Sequence, residues 1–263
     1  MNLDLSYRLV SLILIKRKDG SSRSYDPLKA VNNTFIEING LRHQCYEKYA
    51  KITDDVLARC ADQDGWLSSD GVNALVILIN KYYGDFNDTS RNIFFDSFCY
   101  DLFESKNHHL VPFLEDMNKS TSVMHFPINI AFKHWVYSFI SVQHETIFFM
   151  DSIASSIDSF DSSVKKRMVQ FTDTNITHSG IAFKPVYRAS PKQSDGVSCG
   201  VFTILNMLKV SKAVHDGQLD SFLADQSWGQ KQFTVREKED IRSNFVDIIR
   251  GTKCVDVLFK YIN

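Results

Sequence analysis

From Val123 onward the chain breaks into short apolar runs separated by polar turns. Val123–Ile130 (VMHFPINI), His134–Ser141 (HWVYSFIS) and Thr146–Asp151 (TIFFMD) are rich in β-branched and aromatic residues. Val142–Glu145 separates the last two as a hairpin loop would, so three adjacent strands are predicted. A helix over about 159–172, opened by a Ser or Asp, carries Lys165, Lys166 and Arg167 on its wet face, and a further strand lies near Ile181–Tyr187. Pro191–Val210 (PKQSDGVSCGVFTILNMLKV) then passes from a polar, turn-prone run into an apolar segment. There Val201, Phe202, Ile204, Leu205 and Leu208 recur at offsets of three and four, the spacing of a buried helix face. After Val210 come a polar loop, a helix over about 234–250 opened by a Thr234/Glu237 capping box, and an apolar tail.

The pattern ahead of Val123 is less regular. Residues 5–16 read as a buried strand or short apolar helix, and Lys18–Ser22 as a turn. Asp26-Pro27 is an N-cap with a first-turn proline, opening a helix whose face is Leu28, Val31, Phe35 and Ile38 and which Gly40 ends. A helix over about 69–83 turns Val72, Leu75, Val76 and Ile79 inward, with Gly84 at its end. Residues 91–104 fit either period. Strands flanked by helices make an α+β fold in one domain. The first 60 residues hold no chemical motif and read as an N-terminal extension or recognition appendage, leaving 61–263 as the functional domain.

Composition narrows the class. The 263 residues are 44% hydrophobic and include 20 Phe, enough for a sizeable core and too many for disorder. Thirty basic against 31 acidic residues, with no long basic run, argue against nucleic-acid binding. Cys45, Cys60, Cys99, Cys199 and Cys254 are odd in number and scattered, without a Cys-x-x-Cys pair, which disfavours a disulfide framework or zinc ribbon and favours a reducing compartment. The apolar run Leu9–Ile15 is too short to span a bilayer, and no cleavage site follows it. The expectation is an intracellular protein, cytoplasmic or nuclear, or delivered to a host cell if it is a bacterial effector.

One constellation carries chemistry. Cys199 falls at the first turn of the predicted buried helix, where unpaired N–H groups and the positive dipole end favour a thiolate. A thiol nucleophile needs a base and a group that fixes the base. Of the eight histidines, His134 is best placed, because it starts a strand whose hairpin partner ends at Asp151, and an antiparallel hairpin brings those ends together. Gln193 can donate from its carboxamide and, with the Cys199 N–H, make an oxyanion hole. Each residue alone has a plainer reading: Cys199 as a small core residue, His134 as structural beside Trp135, Asp151 as a loop cap, Gln193 as a turn residue. In the order His, Asp, Gln, Cys they are far more specific. A papain-type order fits poorly, because the only histidine after Cys199 is His215, beside Asp216-Gly217 in an expected surface loop. Adjacent His108 and His109 are a weak pointer to a metal.

These segments resemble the ubiquitin-like-protein-specific cysteine proteases, SUMO-deconjugating enzymes related to the adenoviral protease. The matching stretches are Trp66-Leu67-Ser68-Ser69-Asp70, Phe95-Asp96-Ser97-Phe98, Pro127-Ile128-Asn129, His134-Trp135, Asp151-Ser152 and Gln193 through Phe202, in the family's order over roughly residues 64–250. Ser198 replaces the family's usual Asp, and Val197 a frequent aromatic. The resemblance implies an adenain-like α+β fold, a central mixed sheet flanked by helices. It implies a Cys199–His134–Asp151 triad with Gln193 completing the oxyanion hole, and neither metal nor cofactor. It implies that Trp66 and Trp135 cover a narrow channel for a Gly-Gly tail, and that the partner is ubiquitin, SUMO or a related modifier with its conjugates. Two other functions stay open on this reading: an acetyltransferase of the same clan using the same triad, and a catalytically inactive modifier-binding module.

Overall fold

A computed structural model describes residues 35–38, 41–44, 52–84, 92–97, 100, 123–176 and 182–263. Strands β1 (Phe35–Ile38) and β2 (Leu41–Gln44) pair antiparallel with Ile38 opposite Leu41. This corrects the expectation that Phe35 and Ile38 share a helix face ended by Gly40. The linking dipeptide Asn39-Gly40 is the strongest short hairpin signal, and it outweighs a three-residue apolar spacing. The remainder of that expected helix, the run 5–16, the turn Lys18–Ser22, and Cys45, Phe98, Cys99, His108, His109 and His178 lie outside the described residues.

Helix α1 (Asp54–Ala61) is capped by Thr53, whose hydroxyl accepts the Val56 N–H at 3.3 Å. Its Val56, Leu57 and Cys60 join the main core. The division expected between residues 60 and 61 therefore runs through a helix of the folded unit, which includes at least Ile52. Helix α2 (Ser69–Gly84) follows, then β3 (Asn92–Phe94), β4 (Val123–Ile130), β5 (His134–Ser141), β6 (Thr146–Met150), α3 (Ser162–Asn175) and β7 (Lys184–Tyr187). Helix α3 starts a few residues later than expected because Asp161 is its N-cap, with its carboxylate on the N–H groups of Ser163 and Val164. The chain continues with α4 (Cys199–His215), α5 (Leu219–Ala224), α6 (Ser227–Gln230), α7 (Val235–Ile249), a 3₁₀ turn (Val255–Leu258) and α8 (Phe259–Ile262).

The sheet runs β3-β4-β5-β6-β7. Its three central strands are antiparallel meanders, and the outer two are parallel additions. Successive side chains point to opposite faces, and both faces are covered, which is why these strands read as nearly unbroken apolar runs. Trp135, Tyr137, Phe139, Phe148 and Met150 face the core shared with α1, α2, α4 and α7. Val136, Ile140, Ile147 and Phe149 face the core under α3.

Helix α4 is apolar nearly all round and is the centre of the larger core. It continues to His215 where a polar loop was expected after Val210. Ser211 returns its hydroxyl to the Met207 carbonyl at 2.7 Å and stays buried. Seven fully buried apolar side chains, Val201, Phe202, Ile204, Leu205, Met207, Leu208 and Val210, at about 1.5–3 kcal/mol each, anchor the helix before entropy is set against them. Cys199 therefore sits on a rigid platform.

Candidate active site

The last registered pair of the β5–β6 hairpin is Tyr137 with Met150, so His134 and Asp151 emerge just past the ladder. There His134 Nε2 donates to Asp151 Oδ1 at 2.8 Å, and the same oxygen accepts the Ile153 N–H at 2.8 Å. The Asp151 carbonyl is held in turn by Lys192 Nζ (3.0 Å) and the Tyr187 hydroxyl (3.2 Å). With Nε2 committed, Nδ1 is the nitrogen left for Cys199, whose side chain acts electrostatically on the ring. Burial pulls the imidazole down, but the hydrogen bonds and charges of Asp151 and Cys199 outweigh it and hold His134 up at about 9. The ring is therefore an imidazolium at neutral pH, paired with the buried Asp151 carboxylate.

Cys199 is the first residue of α4. Its N-cap, Ser198, makes no side-chain cap to the helix and gives its hydroxyl to Asp195 Oδ2 at 2.9 Å instead. Gln193 is fastened to the Asp151–Ser152 segment by two bonds: its N–H donates to the Ser152 carbonyl (3.1 Å), and its Oε1 accepts the Ser152 hydroxyl (2.6 Å). One Nε2 proton goes to the Asp195 carbonyl at 2.6 Å. The fold thus brings His134, Asp151, Cys199 and the Gln193 loop into one place.

The tryptophans also converge, in unequal ways. Trp66 is 44% exposed and donates to the Gly196 carbonyl at 2.9 Å, whereas Trp135 is 3% exposed and donates to the Leu67 carbonyl at 2.9 Å. Both line a cleft of about 200 Å³ with Leu67, Asn129 and Phe132. Trp135 is a core residue that forms part of the cleft's lining, and Trp66 is its open wall. Gly200 is needed here, since a Cβ would stand 2.9 Å from Leu67 Cβ.

Several contributors went unread in the sequence. Phe132 is 79% exposed with φ 58°, beside Ala131 with φ 51°, in the turn that leads to His134. Asp195 accepts the N–H groups of Val197 (3.0 Å) and Ser198 (2.7 Å) and pairs with Lys238. Arg242, buried, donates to the carbonyls of Gly65 (2.9 Å) and Val197 (3.3 Å). A second Ser-His-Asp chain, Ser141–His144–Asp220, has the contacts of a hydrolase triad (2.7 Å each), but its serine is fully buried at the far end of β5. His215 ends α4, half-buried against the Tyr83 ring, where a surface loop was expected. Among the described residues no group of three or more His, Cys, Asp or Glu could hold a metal, and no helix is long and apolar enough to cross a membrane.

Comparison with known proteins follows the same outline. The model of the Ulp1 protease family, C-terminal catalytic domain, matches residues 69–243. No curated protein sequence matches the chain. Among solved structures, the SUMO protease Ulp1 with its catalytic cysteine oxidised to a sulfenic acid aligns at TM-score 0.57 and 20% identity, covering 76% of this chain and 84% of that one. The Ulp1 protease domain in complex with Smt3, the yeast ortholog of SUMO, aligns at TM-score 0.56 and 18% identity over 85% and 91% of the two chains. The Ulp1-like SUMO protease catalytic domain of Chaetomium thermophilum aligns at 0.52 and 17%, over 73% and 75%. At such identities the structures establish the fold, and the family match establishes membership: the chain belongs to the Ulp1 family of cysteine peptidases.

Proposed function

We propose that the protein is a thiol isopeptidase that cleaves after the C-terminal Gly-Gly of ubiquitin or a ubiquitin-like modifier, with Cys199, His134 and Asp151 as triad and Gln193 in the oxyanion hole. The observation that carries this reading is the His134 imidazole fixed on Asp151 Oδ1 at 2.8 Å, with its protonated form favoured by both Asp151 and Cys199. The Cys199 sulfur attacks the carbonyl carbon of the terminal glycine, and the carbonyl oxygen takes the negative charge in front of the Cys199 N–H and the Gln193 carboxamide. The tetrahedral intermediate collapses as His134 gives its proton to the leaving lysine amine, leaving a thioester. His134, now neutral, takes a proton from water, the resulting hydroxide attacks the thioester, and the thiol returns with a free glycine carboxylate. The cleft between Trp66 and Trp135 admits a strip of main chain without side chains, which selects glycine by size. The family membership and the Smt3-bound relative support a modifier as substrate.

The test is a panel of C-terminal electrophile probes built on ubiquitin, SUMO and related modifiers. At least one is expected to form a covalent adduct, lost in Cys199→Ala. In His134→Ala turnover should vanish while modifier binding and the melting temperature stay near wild type. Absence of any adduct, together with acetyl-CoA turnover, would overturn the peptidase in favour of an acyltransferase.

A further inference from the structure

We infer that Asp195, clamped by Lys238 of α7, is the positioning residue that sets both donors of the oxyanion site. The inference rests on the thiol-peptidase reading above. Asp195 is tied down at both ends. Its Oδ1 accepts the N–H groups of Val197 (3.0 Å) and Ser198 (2.7 Å), and its Oδ2 accepts the Ser198 hydroxyl (2.9 Å) and the Lys238 ammonium. Its main-chain carbonyl accepts Gln193 Nε2 at 2.6 Å. The carboxylate thus orients the peptide planes that lead into the Cys199 N–H, and the carbonyl orients the carboxamide opposite. One residue sets the spacing between the two donors, and a displacement of about 1 Å in such a site can cost ~10² in rate.

Charge balance calls for the lysine. An unpaired carboxylate beside the nucleophile loop would oppose both the thiolate and the oxyanion. Lys238 Nζ sits on Asp195 with side chains only 12% and 27% exposed, so solvent does little of the screening. Arg242, one turn further along α7, adds a buried cation against the Val197 carbonyl at 3.3 Å. Burial tends to raise the Asp195 carboxyl, but Lys238 and the loop donors hold it down at about 2, so it is ionised throughout the working range. The presenting element is rigid: α7 begins in a full capping box and buries Ile241, Phe245, Ile248 and Ile249. The same loop steadies the cleft, because Trp66 Nε1 donates to the carbonyl of Gly196.

The experiment compares wild type, Lys238→Met, Lys238→Arg and Asp195→Asn on the modifier substrate that wild type cleaves. It measures kcat, KM, melting temperature, and affinity for the same modifier ending in an aldehyde, whose hemithioacetal oxygen occupies the oxyanion site. Lys238→Met is expected to lower kcat by ~10–100-fold with KM within about twofold. Aldehyde affinity should fall by the same factor as kcat/KM, and Lys238→Arg should recover most of both. Should Lys238→Met not fold, Asp195→Asn, which keeps the loop acceptor, loses the clamp and leaves no bare carboxylate, should lower kcat and aldehyde affinity together by a smaller factor. Unchanged kcat, a loss confined to KM, or a loss that follows melting with aldehyde affinity intact overturns the proposal. Wild type that takes no modifier probe overturns the peptidase reading and this proposal together, whereas wild type and Lys238→Met reacting alike overturns the proposal alone.

Discussion

Replacing Asp151 by Asn separates the charge behind the imidazolium from the hydrogen bond that orients it. In serine hydrolases the equivalent change costs about 10⁴ in kcat through the wrong histidine tautomer. Here Asp151 Oδ1 accepts from Ile153 N–H as well as His134 Nε2, both at 2.8 Å. That main-chain donor demands an oxygen at the position, so the Asn carbonyl takes it and the Nε2–H tautomer survives. What is lost is the charge. Burial lowers His134, and Asp151 and Cys199 together lift it to about 9, against an ordinary value of 6.5. Removing the Asp151 charge takes away part of that rise, and each unit of it is roughly 1.4 kcal/mol. A plateau loss of ~10–30-fold follows, about 1.4–2 kcal/mol of transition-state stabilisation.

The assay is kcat/KM from pH 5 to 10 on a fluorogenic modifier substrate, whose alkaline limb reports the imidazolium losing its proton. Wild type should fall away near pH 9 and Asp151→Asn at a lower pH. Asp151→Ala, which leaves both the His134 Nε2–H and the Ile153 N–H without their acceptor, should lose ~10³-fold or more. The sign for stability runs the same way. A raised histidine contributes fully below 6.5, and that contribution is lost as pH climbs through about 9. Should Asp151→Asn fall as far as Asp151→Ala with its alkaline limb unmoved, the shared-oxygen argument is wrong.

Three further outcomes follow from the described contacts. His125 donates through Nε2 to Asn92 Oδ1 (2.8 Å), Asn92 Nδ2 is committed to the Ser211 carbonyl (3.1 Å), and Nδ1 in the neutral ring accepts the Tyr137 hydroxyl (2.6 Å). Burial takes His125 down to about 3, so stability is intact above 6.5 and falls as pH drops from there toward 3, by about 2 kcal/mol at pH 5; His125→Gln should flatten that slope in denaturant midpoints, and an unchanged slope counts against it. Gly200→Ala drives a Cβ to 2.9 Å from Leu67 Cβ and should cost about 1–3 kcal/mol by denaturant melts, with kcat reduced because Leu67 also anchors Trp135. Phe132→Gly relieves a left-handed φ of 58° worth about 1–2 kcal/mol, more than glycine's extra chain entropy of about 0.5–1 kcal/mol. It should therefore melt no lower than wild type while KM rises several-fold as the cleft loses an aromatic wall.

The parts legible in the sequence are those whose cause is local. Thr234 and Glu237 announce α7 because a capping box is four consecutive residues. The β5–β6 hairpin is legible for the same reason, and the meeting of His134 with Asp151 comes with it, since antiparallel ends must return to each other. The hairpin at Phe35–Gln44 was equally local, but its signal lay in Asn39-Gly40, while Phe35 and Ile38 fitted a helix spacing just as well. The last five residues of α4 were hidden by Ser211, Lys212 and His215, polar residues that read as loop. Ser211 satisfies itself on the preceding turn, and a helix buried on every side has no polar face to show a period.

What stayed hidden at the site is polar and long-range. Lys238 stands in a charged run, Glu237-Lys238-Glu239-Asp240, and nothing in that run separates it from a lysine facing solvent. Its partner Asp195 is 43 positions away and reads as an ordinary turn residue. Hydrophobic packing of Ile241 and Phe245 brings α7 against the nucleophile loop, and only then does a lysine four residues before a buried arginine become a cation for that loop. The proposed triad could be named from the sequence because a nucleophile, a base and an acid must be particular residue types in a particular order. The shell that holds them need supply only a charge and a few donors, which any of several positions could provide. The positions this chain uses are set by how α7 packs, so the supporting shell emerges with the tertiary structure.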